Sequence, residues 1–165
     1  MSPYEFRCYL QVEAEAGPLL ILFIGIPASG KSTFYHRVLA DRKLDCVSLD
    51  VLGTRARERA AFEATLAARR SIVIDNTNVT KTLRARYIVP AKAAGYRTVG
   101  LFFQSILADC LARNETREGA AKLKRLALLG MSAQLELPSK DEGFDNLFFV
   151  RIVDGLFEIE PWKET

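Results

Sequence analysis

Six consecutive apolar residues, Leu19 to Ile24, run directly into Gly25-Ile26-Pro27-Ala28-Ser29-Gly30-Lys31-Ser32, which fits G-x-x-x-x-G-K-[ST] at every fixed position. A strand apolar at every position must be covered on both faces, the condition of a parallel sheet lying between helices. The glycine-bracketed loop after it has to arch and feed a helix at Lys31. A strand–loop–helix unit of this kind excludes all-α and sandwich folds and leaves the open α/β sheets.

The remaining sequence repeats that rhythm. Short runs rich in β-branched residues predict strands at Leu19–Ile24, Cys46–Leu49, Ser71–Ile74, Thr98–Phe103 and Leu147–Ile152. Helix-period stretches between them predict helices at Lys31–Ala40, Thr54–Ala68, Lys81–Ala94, Ile106–Arg113 and Ala120–Leu129. The expected architecture is the α/β, three-layer P-loop NTPase fold: a mainly parallel five-stranded sheet between helices, with right-handed crossovers. Asp154-Gly155, between Leu147–Val153 and Leu156–Ile159, predicts a C-terminal antiparallel hairpin. Phe6–Val12 alternates weakly and reads as an extra edge strand. With 165 residues, 49% of them hydrophobic, residues 1–165 read as a single domain with a core of its own.

Composition narrows the partners. A net charge of +3 is too small for a histone-like electrostatic binder, so contact with nucleic acid has to be local and shaped. Cys8, Cys46 and Cys110 stand far apart with no C-x-x-C pair, which argues against a disulfide framework or a zinc site and suits a reducing compartment. No apolar run is long enough to span a bilayer, and Glu5 and Arg7 interrupt the N-terminus where a signal peptide would be apolar. The expectation is a cytoplasmic protein with no membrane partner.

The loop carries the clearest chemistry. Gly25 and Gly30 let the backbone bend, so the amides of Ser29 to Thr33 can line an oxyanion nest at the start of a helix. Lys31 would bring a point charge to the β- and γ-phosphates of ATP, and the Ser32 hydroxyl would ligate Mg²⁺. Asp75 ends the strand Ser71–Ile74 at the carboxyl rim of the sheet, where ligands bind. It reads either as a Walker-B-like carboxylate on Mg²⁺ or as a turn former before Asn76 and Thr77. Asp50 ends the strand Cys46–Leu49 on the same rim. It reads either as a general base for an attacking hydroxyl or as an N-cap for the next helix. From Arg113 to Arg125 the chain holds five cations and two acids. Arg113 and Arg117, four apart, would share a helical face as a cationic lid, or else form a solvated surface. His36 and Trp162 read as packing or surface residues.

These segments in this order resemble the 5′-hydroxyl kinase domain of polynucleotide kinases. The similarity is carried by Gly25–Phe34, Leu49–Gly53, Ile74-Asp75-Asn76-Thr77-Asn78, Arg84-Ala85-Arg86-Tyr87, Arg113-Asn114-x-x-Arg117 and Glu136-Leu137-Pro138 with Glu142-Gly143-Phe144. It implies that Lys31 and Ser32 hold the donor phosphates and Mg²⁺, and that Asp50 is the base on the acceptor hydroxyl. It further implies that Asp75 supports metal and acceptor, and that Arg113 and Arg117 lie on the donor phosphates with Arg117 at the transition state. Asn76, Thr77, Arg84 and Arg86 would line the acceptor groove, and Glu136–Phe144 would close the core. The chain departs from the pattern at Gly53, where the phage-type enzymes place an arginine on the acceptor's phosphate; Arg55 or Arg57 would have to substitute. No Asp-x-Asp-Gly-Thr phosphatase signature is present, so a kinase module standing alone is expected. The rival readings are a small-molecule or nucleotide-sugar kinase resembling zeta toxins, and an ATP-binding module with no acceptor.

Overall fold

The computed structural model describes residues 1–164. Its sheet holds β1 (Leu19–Ile24), β2 (Asp45–Val47), β3 (Ile72–Ile74), β4 (Arg97–Phe103), β5 (Asn146–Val153) and β6 (Leu156–Pro161) in the spatial order β2-β3-β1-β4-β5-β6. The first five are mutually parallel, with Leu20 opposite Ile72 and Leu19 opposite Arg97. β6 returns antiparallel through Asp154-Gly155, the expected hairpin.

Alternation along β1 divides the core in two. Leu19, Ile21 and Phe23 face one layer with Phe6, Phe34 and Leu39. Leu20, Leu22 and Ile24 face the other, with Phe62, Tyr87, Ile88 and Phe144. All six strand residues are buried, as an apolar run covered on both faces requires. The first layer is built by α1 (Pro3–Glu15) and by α2 (Lys31–Phe34), which continues as one π-helical stretch to Leu39. α4 (Arg55–Ala67) and α5 (Lys81–Ala93) build the second. Between β2 and α4 lies a single turn, α3 (Leu49–Leu52). α6 (Leu107–Glu115) and α7 (Arg125–Gln134) stack beside the glycine loop, joining Ile26, Ala28 and Val79 in a third cluster through Cys110 and Leu128.

Three local expectations are corrected. Residues 6–12 are helical, not an edge strand. Ser2 and Glu5 form a capping box with Pro3 at the first helical position, and Phe6, Tyr9 and Leu10 pack on one side at helical spacing. Phe6 meets Phe148 edge-on at 5.5 Å, so this helix covers the sheet rather than extending it. The strand expected over Cys46–Leu49 ends at Val47, because the chain turns into α3. Finally, α7 begins at Arg125 rather than Ala120. The buried Asn114 amide donates to the Leu123 carbonyl (2.8 Å) and accepts from the Leu123 amide (3.0 Å), which holds the segment before α7 away from helix.

Candidate active site

The glycine loop closes over its own lysine. Gly30 has φ 104°, and a Cβ there would lie 2.9 Å from Ile152; a Cβ on Gly25 would sit 3.0 Å from both Ser29 and Ser105. Both positions therefore need glycine for conformation and for space. The first helical bond runs from the Phe34 amide to the Gly30 carbonyl (2.9 Å), which leaves the amides of Lys31, Ser32 and Thr33 as donors at the loop mouth. The Ser29 amide instead leans toward the Ile26 carbonyl at 3.4 Å. Lys31 is buried, and its Nζ donates to the carbonyls of Gly25 (2.9 Å) and Ile26 (2.8 Å) and to Ser29 Oγ (3.3 Å).

Burial pulls the Lys31 ammonium down to about 8. The carboxylates of Asp75 and Asp50 oppose that shift, while the Arg117 guanidinium adds to it. Burial also raises the Asp75 carboxyl, against a hydrogen bond from Ser32 and the charge of Lys31; the Asp50 carboxylate pushes the same way as burial. Residues 31, 32, 50, 75 and 117 thus share one field at the carboxyl rim. Asp50 lies in the first turn of α3, exposed and without a hydrogen-bond partner among the described residues. It does not cap the following helix: Thr54 does, accepting from the Arg57 amide.

The arginines divide. Arg113 Nε donates to the Ala28 carbonyl (2.7 Å), which fastens α6 to the loop. Arg117 lies two residues beyond the end of α6, so the expected shared helical face does not extend to it; its Nη1 donates to the Ala121 carbonyl at 3.3 Å. Arg84 is corrected outright. It is wholly buried, with Nε and Nη2 on the two oxygens of Glu142 (2.6 and 2.8 Å) and Nη1 on the carbonyls of Asn78, Val79 and Glu136. A guanidinium so enclosed cannot reach an acceptor; it latches the closing segment that seats Phe144. Arg86, two residues on, is exposed.

The run Ile74–Asn78 is mainly a clamp. The Thr77 carbonyl accepts from the Gly25 amide (2.9 Å), and the buried Asn78 amide donates to the Phe23 carbonyl (2.7 Å). Asn76 Oδ1 accepts from the Leu49 amide (2.9 Å), while its Nδ2 donates to Glu58 and, at 3.2 Å, to the Tyr87 hydroxyl. Both ends of the Asn76 amide are therefore engaged, and its observed part is to hold the turn carrying Asp50 rather than to meet an acceptor. Glu58 is buried and also accepts from Tyr87 and Arg55. Burial and the Glu58 bond keep the Tyr87 hydroxyl protonated well above its usual range.

Sequence reasoning missed Glu58 and Ser105, and gave Asn114 no role of its own within the Arg113–Arg117 motif. Glu58, Phe62 and Thr65 are the buried residues of α4 and recur at helical spacing, so the period alone placed an acid on the inner face. Ser105 Oγ accepts from the Ile26 amide (3.1 Å), and nothing around it in sequence announces that brace.

A single carboxylate and a single hydroxyl, both hard oxygen donors, suit Mg²⁺ whose remaining ligands are phosphate oxygens and water. Ser32, which acts on the Asp75 carboxyl against the effect of burial, and Asp75 itself are oxygen donors of the kind that partial set needs. No described helix is long and apolar enough to cross a membrane.

A model of the AAA domain family matches residues 53–138, just over half of the chain. The chain belongs to the AAA domain family. That match begins beyond the glycine loop, so loop and family are independent signs of the same fold. This AAA domain is also 29% identical, over 88% of its length, to a bifunctional polynucleotide phosphatase/kinase of Schizosaccharomyces pombe, and it spans 35% of that relative's length. In structure it is similar to Chaetomium thermophilum Kti12 in complex with ADP-AlF3 (TM-score 0.62, 19% identity, 80% of this chain and 88% of that one). It is similar too to a gluconokinase from Sinorhizobium meliloti (TM-score 0.58, 18% identity, 81% and 82% of the chains). The two structural likenesses bear on the fold alone: those proteins share the layered α/β arrangement of this chain.

Proposed function

We propose that this domain transfers the γ-phosphoryl group of ATP to the 5′-hydroxyl of a nucleic-acid end. The observation that carries the reading is the placement of two acids beside the glycine loop's sheet rim: Asp75 directly follows β3, and the exposed Asp50 sits in the α3 turn whose Leu49 amide is held by Asn76, the residue next to Asp75. A donor-binding module alone has no use for the exposed, unbonded acid in α3. A kinase does: Asp50 accepts the proton of the attacking hydroxyl, whose oxygen forms a bond to the γ-phosphorus as the bond to the β–γ bridging oxygen breaks and ADP leaves. The free amides at Lys31–Thr33, with Gly25, Ser29 and Gly30 shaping the loop, bind the donor phosphates. Lys31 and Arg117 neutralise charge on the transferring oxygens, and Arg113 holds the loop in place. Ser32 and Asp75 would hold Mg²⁺, which supplies charge neutralisation on the β- and γ-phosphates when bound. The likeness to the polynucleotide phosphatase/kinase supports a nucleic-acid acceptor.

The test is incubation with γ-labelled ATP and separate 5′-hydroxyl RNA, 5′-hydroxyl DNA and small sugar acceptors. Label in an oligonucleotide that disappears in Asp50→Asn, with ATP still bound, supports the reading. Label in a sugar alone assigns the domain to small-molecule kinases, and ATP binding with no labelled acceptor leaves a nucleotide-binding module.

A further inference from the structure

α6 and α7 pack beside the glycine loop, and the chain that joins them carries Arg117. Residues 115–122 leave that helix pair as a loop with one neck. At the neck Asn114, in the last turn of α6 and only 1% exposed, meets Leu123 nine positions further on. Its Nδ2 donates to the Leu123 carbonyl (2.8 Å), and its Oδ1 accepts from the Leu123 amide (3.0 Å). A primary amide offers a donor and an acceptor side by side, so it satisfies both backbone groups of one residue, as a facing residue does across a β-ladder. A carboxylate of the same shape has no donor for the carbonyl.

The loop has no other mooring by hydrogen bonds. Among the described residues, those of residues 116–122 all end within residues 113–123. The Arg117 amide donates to the Asn114 carbonyl (3.1 Å), Thr116 Oγ1 to the Arg113 carbonyl (2.8 Å) and the Lys122 amide to the Gly119 carbonyl (3.2 Å). Within residues 115–122 only Arg117 is not fully exposed, and its guanidinium makes one long bond, to the Ala121 carbonyl at 3.3 Å.

The neck is fixed to the donor site. Arg113, next to Asn114, donates from Nε to the Ala28 carbonyl of the glycine loop (2.7 Å), and Cys110, one turn earlier, packs with Ile26 and Ala28. Arg117 follows Asn114 by three residues, a reach of no more than about 11 Å. Its charge already acts on the buried Lys31 ammonium.

We propose that Asn114 is a positioning residue for phosphoryl transfer: by closing the neck it holds Arg117 over the donor phosphates before the reaction begins. The inference rests on the kinase reading above and deepens it, and it is independent of which acceptor is used. A cation aimed in advance at the transferring oxygens needs no reordering as their charge develops.

The experiment is a double-mutant cycle on the full chain, Asn114→Asp against Arg117→Ala, with γ-labelled ATP and the acceptor that takes label. Asn114→Asp removes the neck's donor and keeps its shape. It should lower kcat about tenfold to a hundredfold, the cost of a misplaced transition-state contact, with KM for ATP little changed. In the Arg117→Ala background the same change should cost almost nothing, because no guanidinium remains to be placed. Without nucleotide, hydrogen–deuterium exchange over residues 115–123 should quicken about tenfold, the loss of one hydrogen bond, while the glycine loop exchanges as in the wild type. Asn114→Ser, which trims the side chain rather than burying a charge, is run in parallel and should show the same pattern should Asn114→Asp fail to fold. Wild-type kcat in these variants, equal losses with and without Arg117, or unchanged exchange at the loop overturns the proposal and leaves the kinase reading standing. If the wild type labels no acceptor, the kinase reading falls and this inference falls with it.

Discussion

Replacing Arg84 by methionine keeps most of the side-chain volume and deletes the guanidinium, in a position with no access to solvent. The change strands the Glu142 carboxylate, itself only 8% exposed, and takes a donor from the carbonyls of Asn78, Val79 and Glu136. Removing one partner of a buried pair costs about 3–5 kcal/mol, because the other charge stays desolvated and unmatched. At about 2–4 °C per kcal/mol for a chain of this size, the thermal midpoint should fall by roughly 6–20 °C, followed by circular dichroism. Arg84→Lys should lie between, since an ammonium cannot span both Glu142 oxygens and three carbonyls at once. Arg84→Met with Glu142→Leu should recover most of the loss, as apolar replacement of a buried pair is often close to neutral. An Arg84→Met protein with an unchanged midpoint but a raised acceptor KM would refute the argument and return Arg84 to the acceptor side.

Three further outcomes follow from the site. Lys31 is held near 8 by burial, and a bound triphosphate restores its full charge, so ATP binding near pH 8 should take up about half a proton and near pH 6 almost none. Calorimetry in buffers of different ionisation enthalpy measures this, and heats independent of buffer would contradict it. Because burial raises the Asp75 carboxyl, its ionised form costs stability, a penalty absent below the unfolded-state pKa and complete once pH exceeds the folded value. Asp75→Asn should therefore raise the midpoint at neutral pH, lose that gain in acid, and impair phosphoryl transfer throughout; a lower midpoint at neutral pH would show the charge to be stabilising. Glu58→Ala removes the acceptor of the Tyr87 hydroxyl and one of the two acceptors of the Asn76 amide nitrogen, and should cost about 1–3 kcal/mol by urea denaturation, with Glu58→Gln costing less. Equal stability of all three proteins would mean the network is idle.

How much was legible in sequence depended on the range of the interaction. Leu19–Ile24 followed by Gly25–Ser32 determined by itself the buried strand, the arched loop, the helix and the layered parallel sheet around them, because strand burial and glycine geometry are written in neighbouring residues. The Asp154-Gly155 hairpin was legible for the same reason. The N-terminal segment was not, because its alternation competed with a capping box whose effect is also local but stronger. Only the tertiary structure decided which polar side chains face a ligand and which hold the scaffold. Arg84 and Arg86 stand two apart in one motif, yet one is sealed against Glu142 and the other is open to water. A helix turns about 200° between such positions, so burial there depends on what packs against each face, and the carboxylate that seals Arg84, Glu142, lies 58 positions away.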